Sequence, residues 1–133
     1  MKQKNNTTTA YIVIAHGSRD AGANQSFQEF LKVFQKKIKK QAVYGAFLEI
    51  AKPSLSEALE KAIEKGAQEL MILPLMFFCG RHVKDDIPKQ IAAIKGKYPE
   101  ADFHYAAPVA EHPLMAKLLK DNIRTAKRIS HGK

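Results

Sequence analysis

The sequence of 133 residues contains a single cysteine, Cys79, and no tryptophan. One cysteine cannot form a disulfide within the chain, and it excludes a zinc site built from four cysteines. The longest apolar run, residues 70–78, is about half as long as a membrane-spanning helix and contains Pro74. The first nine residues include lysines but lack the apolar stretch of a secretory signal. We therefore expect a cytoplasmic protein with no membrane partner.

Three motifs that often carry chemistry are also missing. The chain has no dinucleotide-binding G-x-G-x-x-G, no phosphate-binding G-x-x-x-x-G-K-[ST] and no G-x-S-x-G turn of the serine hydrolases. Because the last motif is missing, the sequence argues against Ser18 as a hydrolase nucleophile.

Positive charge is unevenly distributed along the chain. Of the formal net charge of +9, residues 1–43 carry +6, residues 44–111 carry −2 and residues 112–133 carry +5. Such basic segments attract nucleic acid, phosphates or a metabolite with several carboxylates, although a solvated basic helix face explains them equally well.

Apolar residues alternate between strand-like and helix-like spacing. Strands are predicted at residues 11–15, 43–50, 69–75 and 101–107, and helices at residues 24–40, 54–66, 85–96 and 113–123. This βαβαβαβα order, with right-handed crossovers, predicts a three-layer α/β fold in which helices cover both faces of an open parallel sheet of about four strands. One domain is predicted at 10–128, between disordered tails at 1–9 and 129–133.

Details of two helices and one strand follow from local signals. Ser54 and Glu57 form a capping box, which predicts where the second helix begins. Asp85 and Pro88 place the start of the third helix near Asp85, with the proline in its first turn. The third strand is apolar from Leu70 onward, which predicts a central position in the sheet.

Residues that bind metals or transfer protons follow the predicted strands. His16 follows the first strand, Glu49 closes the second and His82 comes after the third. Ligands bind an open parallel sheet at the carboxyl ends of its strands, so these side chains are expected to converge on one edge. Imidazole titrates near neutral pH and binds borderline metals, which favours a general base or metal site. Each residue also has a purely structural interpretation. His16 could simply hydrogen-bond the backbone, Glu49 could be an ordinary carboxylate at a strand end, and His82 could be a neighbour of a helix N-terminus.

Other candidates are weaker. Cys79 and His82 have a C-x-x-H spacing, but without a second pair a lone buried thiol is the commoner case. Residues 74–78 belong to the core or form an apolar lip suited to a flat ligand. The remaining histidines are interpreted as structural or incidental: His104, His112 and His131.

Four segments together resemble the short, CbiX-type sirohydrochlorin cobaltochelatases of the class II tetrapyrrole chelatase family. They are HGSR at residues 16–19, FLE at 47–49 before Pro53, PLMFFCGRH at 74–82 and DIP at 86–88. The resemblance spans most of residues 10–120, and the order of the segments is more specific than any one of them. It implies a chelatase-like (flavodoxin-like) single lobe that inserts a divalent metal into sirohydrochlorin.

The resemblance also implies roles for individual residues. His16 is expected to be the proton acceptor and a metal ligand, and His82 the second metal ligand. Glu49 is the best match for a carboxylate that faces the site in the family. The segment expected to contact the tetrapyrrole comprises Phe77, Phe78, Cys79, Gly80, Arg81 and His82.

Many members of that family carry an acidic residue just before the proline, where this chain has Lys52. A lysine there could pair with a carboxylate of the substrate. The sequence leaves open whether Glu49 or Lys52 contacts the substrate, and whether Cys79 touches the metal.

The substrates implied by the resemblance are a divalent metal ion and the macrocycle, with no permanently bound cofactor. Two imidazoles and a carboxylate suit Co²⁺, Fe²⁺ or Ni²⁺ without choosing among them. Co²⁺ is the leading expectation, and the alternatives are an iron or nickel chelatase of sirohydrochlorin. Cations near the predicted loops suit a polycarboxylate macrocycle: Arg19, Arg81 and Lys84.

Larger class II chelatases resemble two such lobes facing one cleft, so one lobe is expected to form a homodimer around the tetrapyrrole. A non-catalytic tetrapyrrole or metal carrier would use the same histidines. A nucleic-acid-binding module ranks lower, because the chain lacks aromatic stacking motifs and a recognition helix.

Overall fold

In a computed structural model, the chain is described over residues 8–39 and 41–130. Most of the predicted N-terminal tail, residues 1–7, lies outside the described residues, and so do Lys40 and the end of the C-terminal tail at 131–133, which includes His131. Residues 126–130 are exposed and have no regular structure.

Strands and helices alternate along the described residues as predicted. In chain order they are β1 (Thr9–Ala15), α1 (Ala21–Ile38), β2 (Ala42–Phe47), α2 (Leu55–Glu64), β3 (Glu69–Pro74), α3 (Arg81–Lys97), β4 (Asp102–Tyr105) and α4 (Leu114–Thr125). A 3₁₀ turn at Val109–Glu111 precedes α4.

The strands form one parallel sheet in the order β2-β1-β3-β4. The crossover from β1 to β2 runs in one direction along the sheet, and the crossovers to β3 and β4 run in the other. Right-handed connections therefore place α1 on one face and α2 and α3 on the opposite face. The predicted α/β fold class is confirmed, and β3 is central as expected, between β1 and β4.

Two apolar clusters hold these layers together. The larger cluster joins β1 and β3 to α2 and α3, with fully buried side chains that include Ile12, Leu59, Ile72 and Ile87. The smaller cluster joins β1 and β2 to α1, through Val13, Phe27, Leu31 and Phe47. Gly45 of β2 allows α1 to pack closely, because a Cβ there would lie 2.5 Å from Cδ1 of Leu31.

Local signals predicted some boundaries and missed others. The capping box is confirmed, since the Glu57 amide donates to Ser54 Oγ at 3.1 Å and the Ser54 amide donates to Glu57 Oε1 at 2.9 Å. The predicted start of α1 at residue 24 is three residues late, because Asp20 caps the helix by accepting the Gly22 amide at 2.9 Å.

The predicted start of α3 near Asp85 is wrong. The helix begins at Arg81 after Gly80, whose extended backbone forms the N-cap, and Lys84 N–H already donates to the Gly80 carbonyl at 3.1 Å. Pro88 therefore lies inside the helix rather than in its first turn. Proline has no N–H to donate to the Lys84 carbonyl, and this loss is tolerated because Ile87 next to it is buried in the larger cluster.

The expectation that every helix covers the sheet holds for α1, α2 and α3 but not for α4, which buries no residue. No helix in the described part of the chain combines the length and the apolar character that crossing a membrane requires.

Candidate functional site

The candidate site lies where β1 and β2 end side by side. His16 follows the last residue of β1, and Glu49 lies two residues beyond the end of β2. His16 Nε2 is 2.9 Å from Glu49 Oε2, and each side chain is about half exposed, at 54% and 55%. The structure thus brings together two of the three residues that the strand ends predicted.

This contact determines which nitrogen of His16 is available. Nε2 is the ring nitrogen that faces the carboxylate, and because a carboxylate can only accept, any hydrogen shared between the two groups belongs to Nε2. In the neutral imidazole, Nδ1 then keeps its lone pair, which can accept a proton or bind a cation. Glu49 acts as the orienting carboxylate that commonly supports such histidines.

Backbone hydrogen bonds join the loop after β1, which carries His16, to the loop after β2, which carries Glu49. The Glu49 amide donates to the His16 carbonyl at 3.1 Å, and the Leu48 amide donates to the Ala15 carbonyl at 2.9 Å. Gly17 has φ of +103°, and a Cβ at this position would lie 2.0 Å from the Glu49 carbonyl oxygen. Only glycine tolerates both the left-handed backbone and this close approach.

The strand-two loop carries a second unusual backbone conformation. Ile50, directly after Glu49, has φ of +74°, which is strained for a β-branched residue. This turn ends β2 at Phe47, three residues before the predicted end, and turns the chain back so that the Ala51 amide donates to the Glu49 carbonyl at 2.8 Å. The strain therefore lies beside the carboxylate that faces His16.

Side chains of the first loop hold its shape. The Ser18 amide donates to Asn24 Oδ1 at 3.2 Å, and Asn24 Nδ2 donates back to the Ser18 carbonyl at 2.8 Å. Ser18 Oγ accepts the Asp20 amide at 2.9 Å. Ser18 thus has a structural role, and Asn24 is a site-supporting residue that the sequence alone did not single out.

The segment proposed to contact the tetrapyrrole follows β3 and is partly exposed. Phe77 is 53% exposed and Phe78 is 94% exposed, whereas Met76 before them is buried. Cys79 is half-buried against the larger cluster, Gly80 caps α3 and Arg81 is exposed in the first turn. Two adjacent exposed phenylalanines form an apolar surface of the kind that marks ligand contacts.

His82 occupies the second position of α3, after the strand that neighbours β1. Its backbone therefore starts from the same edge of the sheet as His16. Its side chain lies outside the described parts of the structure.

The predicted cations lie at different places. Lys52 is exposed and lines a depression along the outer edge of β2, together with Tyr44 and Lys61. Of Glu49 and Lys52, it is Glu49 that contacts His16. Arg19 is exposed in the first loop, and Lys84 Nζ lies 3.8 Å from Glu111 Oε2.

Tyr105, at the carboxyl end of β4, is a neighbour of the site that the sequence reasoning missed. Burial raises the pKa of its hydroxyl, and the charges of Cys79 and Glu111 act in the same direction. The hydroxyl therefore stays protonated near neutral pH, as a hydrogen-bond donor close to Cys79. The signal that could have found it is its place near the end of the predicted strand at 101–107; the observed β4 ends at Tyr105.

Two of the other histidines have structural contacts. His104 Nε2 lies 3.0 Å from Glu69 Oε2, and His112 Nδ1 accepts the Leu114 amide at 3.1 Å at the start of α4. Among the described side chains, which do not include that of His82, no group of three or more histidine, cysteine, aspartate or glutamate residues could hold a metal ion.

Comparisons with known proteins agree with this architecture. The family model of CbiX matches residues 10–126. The chain belongs to the CbiX family. A chloroplastic sirohydrochlorin ferrochelatase of Arabidopsis thaliana is 31% identical over 113 residues, which are 85% of this chain and 50% of the relative. The sirohydrochlorin cobaltochelatase of Sulfolobus acidocaldarius is 30% identical over 118 residues, which are 86% of this chain and 89% of the relative.

A solved structure shows the same fold in a longer chain. The sirohydrochlorin chelatase SirB from Bacillus subtilis, in complex with cobalt, matches with a TM-score of 0.80 and 25% identity, covering 90% of this chain and 51% of that one. This CbiX-family chain therefore spans about half the length of some of its relatives and nearly the full length of others.

Proposed function

We propose that this protein inserts a divalent metal ion into sirohydrochlorin, with the ion and the macrocycle as its two substrates. The observation that carries the proposal is the His16–Glu49 pair, which stands half-exposed at the carboxyl edge of the sheet in a chain of the CbiX family. Chelatases of sirohydrochlorin from a plant and an archaeon, each about 30% identical to the chain, support the same reaction.

The geometry of the pair suits the chemistry of insertion. The macrocycle must lose two pyrrole protons while the hydrated ion exchanges water for pyrrole nitrogens. His16 Nδ1 can hold the arriving ion or accept a pyrrole proton, though not both at once. In either case the carboxylate of Glu49, 2.9 Å from His16 Nε2, places a negative charge beside the cation or proton that the imidazole receives.

The macrocycle is proposed to contact the exposed apolar segment after β3. The faces of Phe77 and Phe78 can cover a flat ring, and Arg19 and Arg81 are exposed near the same edge to bind its carboxylates. Cys79 and Gly80 continue this segment to the start of α3. We assign His82 as the second metal ligand, on the strength of its place at the start of α3.

Co²⁺ is the proposed metal. Nitrogen and carboxylate ligands do not discriminate well among divalent transition metals, so the residues leave the choice open. The relative from Sulfolobus acidocaldarius, which this chain covers nearly end to end, is a cobaltochelatase, whereas the Arabidopsis ferrochelatase is about twice as long as the matched region. The proposed metal follows that archaeal relative, and the insertion assay below compares the ions directly.

The active form is proposed to be a homodimer. One lobe presents a single half-exposed edge to the macrocycle, and longer relatives contain about as much chain again. A second copy would provide the opposite wall of the cleft, most simply through twofold symmetry.

The test is insertion under multiple turnover. Purified protein at a small fraction of the sirohydrochlorin concentration is supplied in turn with Co²⁺, Fe²⁺ and Ni²⁺, and the change in macrocycle absorbance is followed. The proposal predicts product in many-fold excess over protein, fastest with Co²⁺. Product that stops at one equivalent per site would identify a carrier instead, and faster turnover with iron would reassign the metal.

A further inference from the structure

The outer side of β2 is an edge of the sheet, since β2 is the terminal strand in the order β2-β1-β3-β4. In a parallel ladder, successive residues direct their amide and carbonyl groups alternately to the two sides of a strand. The Leu48 amide donates to the Ala15 carbonyl next to β1, whereas the Phe47 amide points the other way and donates to the Pro53 carbonyl at 2.8 Å. The backbone groups of Phe47 thus mark the outward direction.

Two residues of β2 leave their outward backbone groups unpaired. Val43 and Gly45 alternate with the residues bonded to β1, so their amides and carbonyls point outward as those of Phe47 do. In the described part of the chain, no group forms a hydrogen bond with either residue on that side. An open edge of this kind is a template to which a strand of another chain can be added.

Depressions on both faces of the sheet extend along this edge. One has a volume of about 670 Å³, borders α2 and includes Lys52 and Lys61 in its lining. The other has a volume of about 470 Å³, borders α1 and includes Lys32 and Lys36. Gly45 lines both, so the two depressions meet at the unpaired backbone. We call them together the edge groove.

The edge groove is positively charged on both faces of the sheet. Its four lysines are exposed, and among the described residues none of them forms an ion pair. The one carboxylate in its lining is that of Glu57, which is held in the capping box by accepting the Ser54 amide at 2.9 Å. An added strand would therefore have cations on either side of it.

This charge selects an acidic strand. Pairing with the same edge of a second copy would bring the lysines of both copies together, and like charges across a contact destabilise it. Lysines on an edge strand are a common protection against such self-pairing. Side chains of an added strand point alternately to the two faces of the sheet, so its carboxylates meet lysines on whichever face they occupy.

The unpaired backbone favours a peptide over a nucleic acid. Val43 and Gly45 offer donors and acceptors at the spacing of a strand, which a peptide backbone matches and the acceptor-only backbone of single-stranded DNA does not. Binding of single strands also relies on aromatic side chains that stack on bases. The aromatic residue in the lining, Tyr44, is half-buried against the larger cluster and unavailable for this purpose.

We propose that the edge groove binds an extended acidic segment of a partner protein, which pairs with Val43 and Gly45 as an additional strand of the sheet. Pairing stops at Phe47, because the chain returning at Pro53 already occupies the edge there. The groove lies along the side of β2 and not at the carboxyl ends of the strands. The proposal therefore stands independently of metal insertion.

The probe is a short peptide, blocked at both ends, in which glutamate and threonine alternate, added to the isotope-labelled full chain. We expect the amide resonances of Val43 and Gly45 to shift and their hydrogen exchange to slow, because these N–H groups become bonded. The same peptide with N-methylated amides keeps its charge but cannot pair, and should bind about tenfold more weakly or not at all. A version with lysine in place of glutamate should not bind.

Matched lysine variants test the charge. Lys36→Ala combined with Lys61→Ala removes one cation from each side of the edge groove, whereas Lys89→Ala combined with Lys120→Ala makes the same charge change elsewhere on the surface. At low ionic strength, fluorescence anisotropy of the labelled peptide should show about fivefold weaker binding for the first double variant and unchanged binding for the second. Both should keep metal insertion, so failure of this proposal and failure of the proposed chelatase activity remain distinguishable.

Several outcomes would overturn the proposal. Equal binding of the plain and N-methylated peptides, or equal binding by the two double variants, would mean that attraction is not specific to a strand paired in the groove. Resonances of Val43 and Gly45 that shift with protein concentration alone would assign the edge to a second copy. Displacement of the peptide by a thymidine oligonucleotide that binds more tightly would assign the lysines to nucleic acid. If no probe binds, the lysines serve only to protect the edge from pairing.

Discussion

His16 and Glu49 lie 33 positions apart in the sequence, yet their side chains meet at 2.9 Å because β1 and β2 are parallel neighbours with carboxyl ends at one edge. The pair combines a potential proton acceptor with an orienting carboxylate. Their loops are joined by a backbone hydrogen bond between the same two residues. The contact therefore depends on backbone geometry as well as on side-chain charge.

Removing the charge of Glu49 tests its electrostatic role. Glu49→Gln keeps the size of the side chain and a carbonyl oxygen that can still accept from His16 Nε2. Because the negative charge is lost, Co²⁺ affinity should fall about 10- to 100-fold, the usual effect of losing a carboxylate that supports a metal-binding histidine. Calorimetric titration with Co²⁺ measures the change.

Glu29→Gln is the matched control, because it makes the same charge change on the exposed surface of α1. Its Co²⁺ affinity should equal that of the unmodified protein. Equal affinity of Glu49→Gln would remove Glu49 from the metal site.

Gly17 is predicted to be intolerant of any side chain. In Gly17→Ala, the new Cβ would meet the Glu49 carbonyl oxygen at 2.0 Å, so the two loops must separate. We expect the free energy of unfolding to fall by about 1–3 kcal/mol, the range for strained backbone positions, together with a loss of metal affinity as His16 and Glu49 part. Urea denaturation and Co²⁺ titration give the two values.

Gly96→Ala provides the contrast, since no atom lies within 4 Å of a Cβ at that position inside α3. Alanine is the better helix former, so this change should leave stability equal or higher by up to about 1 kcal/mol. If Gly17→Ala behaved like Gly96→Ala, the close contact between the two loops would be unimportant.

The order of elements could be predicted because it follows from local apolar periodicity. The convergence of the strand ends could be predicted because the carboxyl ends of parallel strands lie at one edge of the sheet. The start of α3 was predicted wrongly because the acidic residues and Pro88 resemble a first helical turn, while Gly80, the actual cap, makes no side-chain hydrogen bond that a sequence pattern would reveal. Local signals compete at that point, and the observed start is marked by the backbone hydrogen bond from the Lys84 amide to the Gly80 carbonyl.

The position of α4 could not be predicted from its own amphipathic pattern. The spacing of Leu114, Leu118 and Ile123 indicates a helix that packs on something, but it does not say on which surface. The contact between Gly17 and Glu49 was equally inaccessible, since a glycine in a sequence does not show which distant backbone atom approaches it.

Tyr105 gives a prediction for alkaline pH. Burial raises the pKa of its hydroxyl above the ordinary value of about 10, helped by the charges of Cys79 and Glu111. The folded protein therefore holds this proton more tightly than the unfolded chain. The resulting stability is present below about pH 10 and is lost as the pH rises through the raised pKa.

The titration of Tyr105 can be isolated as the difference in phenolate absorbance between the unmodified protein and Tyr105→Phe. We expect its midpoint above pH 10, and we expect urea denaturation of Tyr105→Phe to show a smaller decline in stability at higher pH. A midpoint at or below pH 10 would mean that the hydroxyl is more exposed to solvent than the structure shows.

The measurement that bears most directly on the proposed function is Co²⁺ insertion into sirohydrochlorin under multiple turnover, compared between the unmodified protein and His16→Ala. The account predicts many turnovers for the former and at least a hundredfold lower rate for the latter, with partial recovery when free imidazole is added, because proton transfer by a positioned side chain contributes about 10²- to 10⁴-fold. Circular dichroism should show that His16→Ala keeps its fold. Unchanged turnover in a folded His16→Ala protein would contradict the assignment of His16 to the reaction centre.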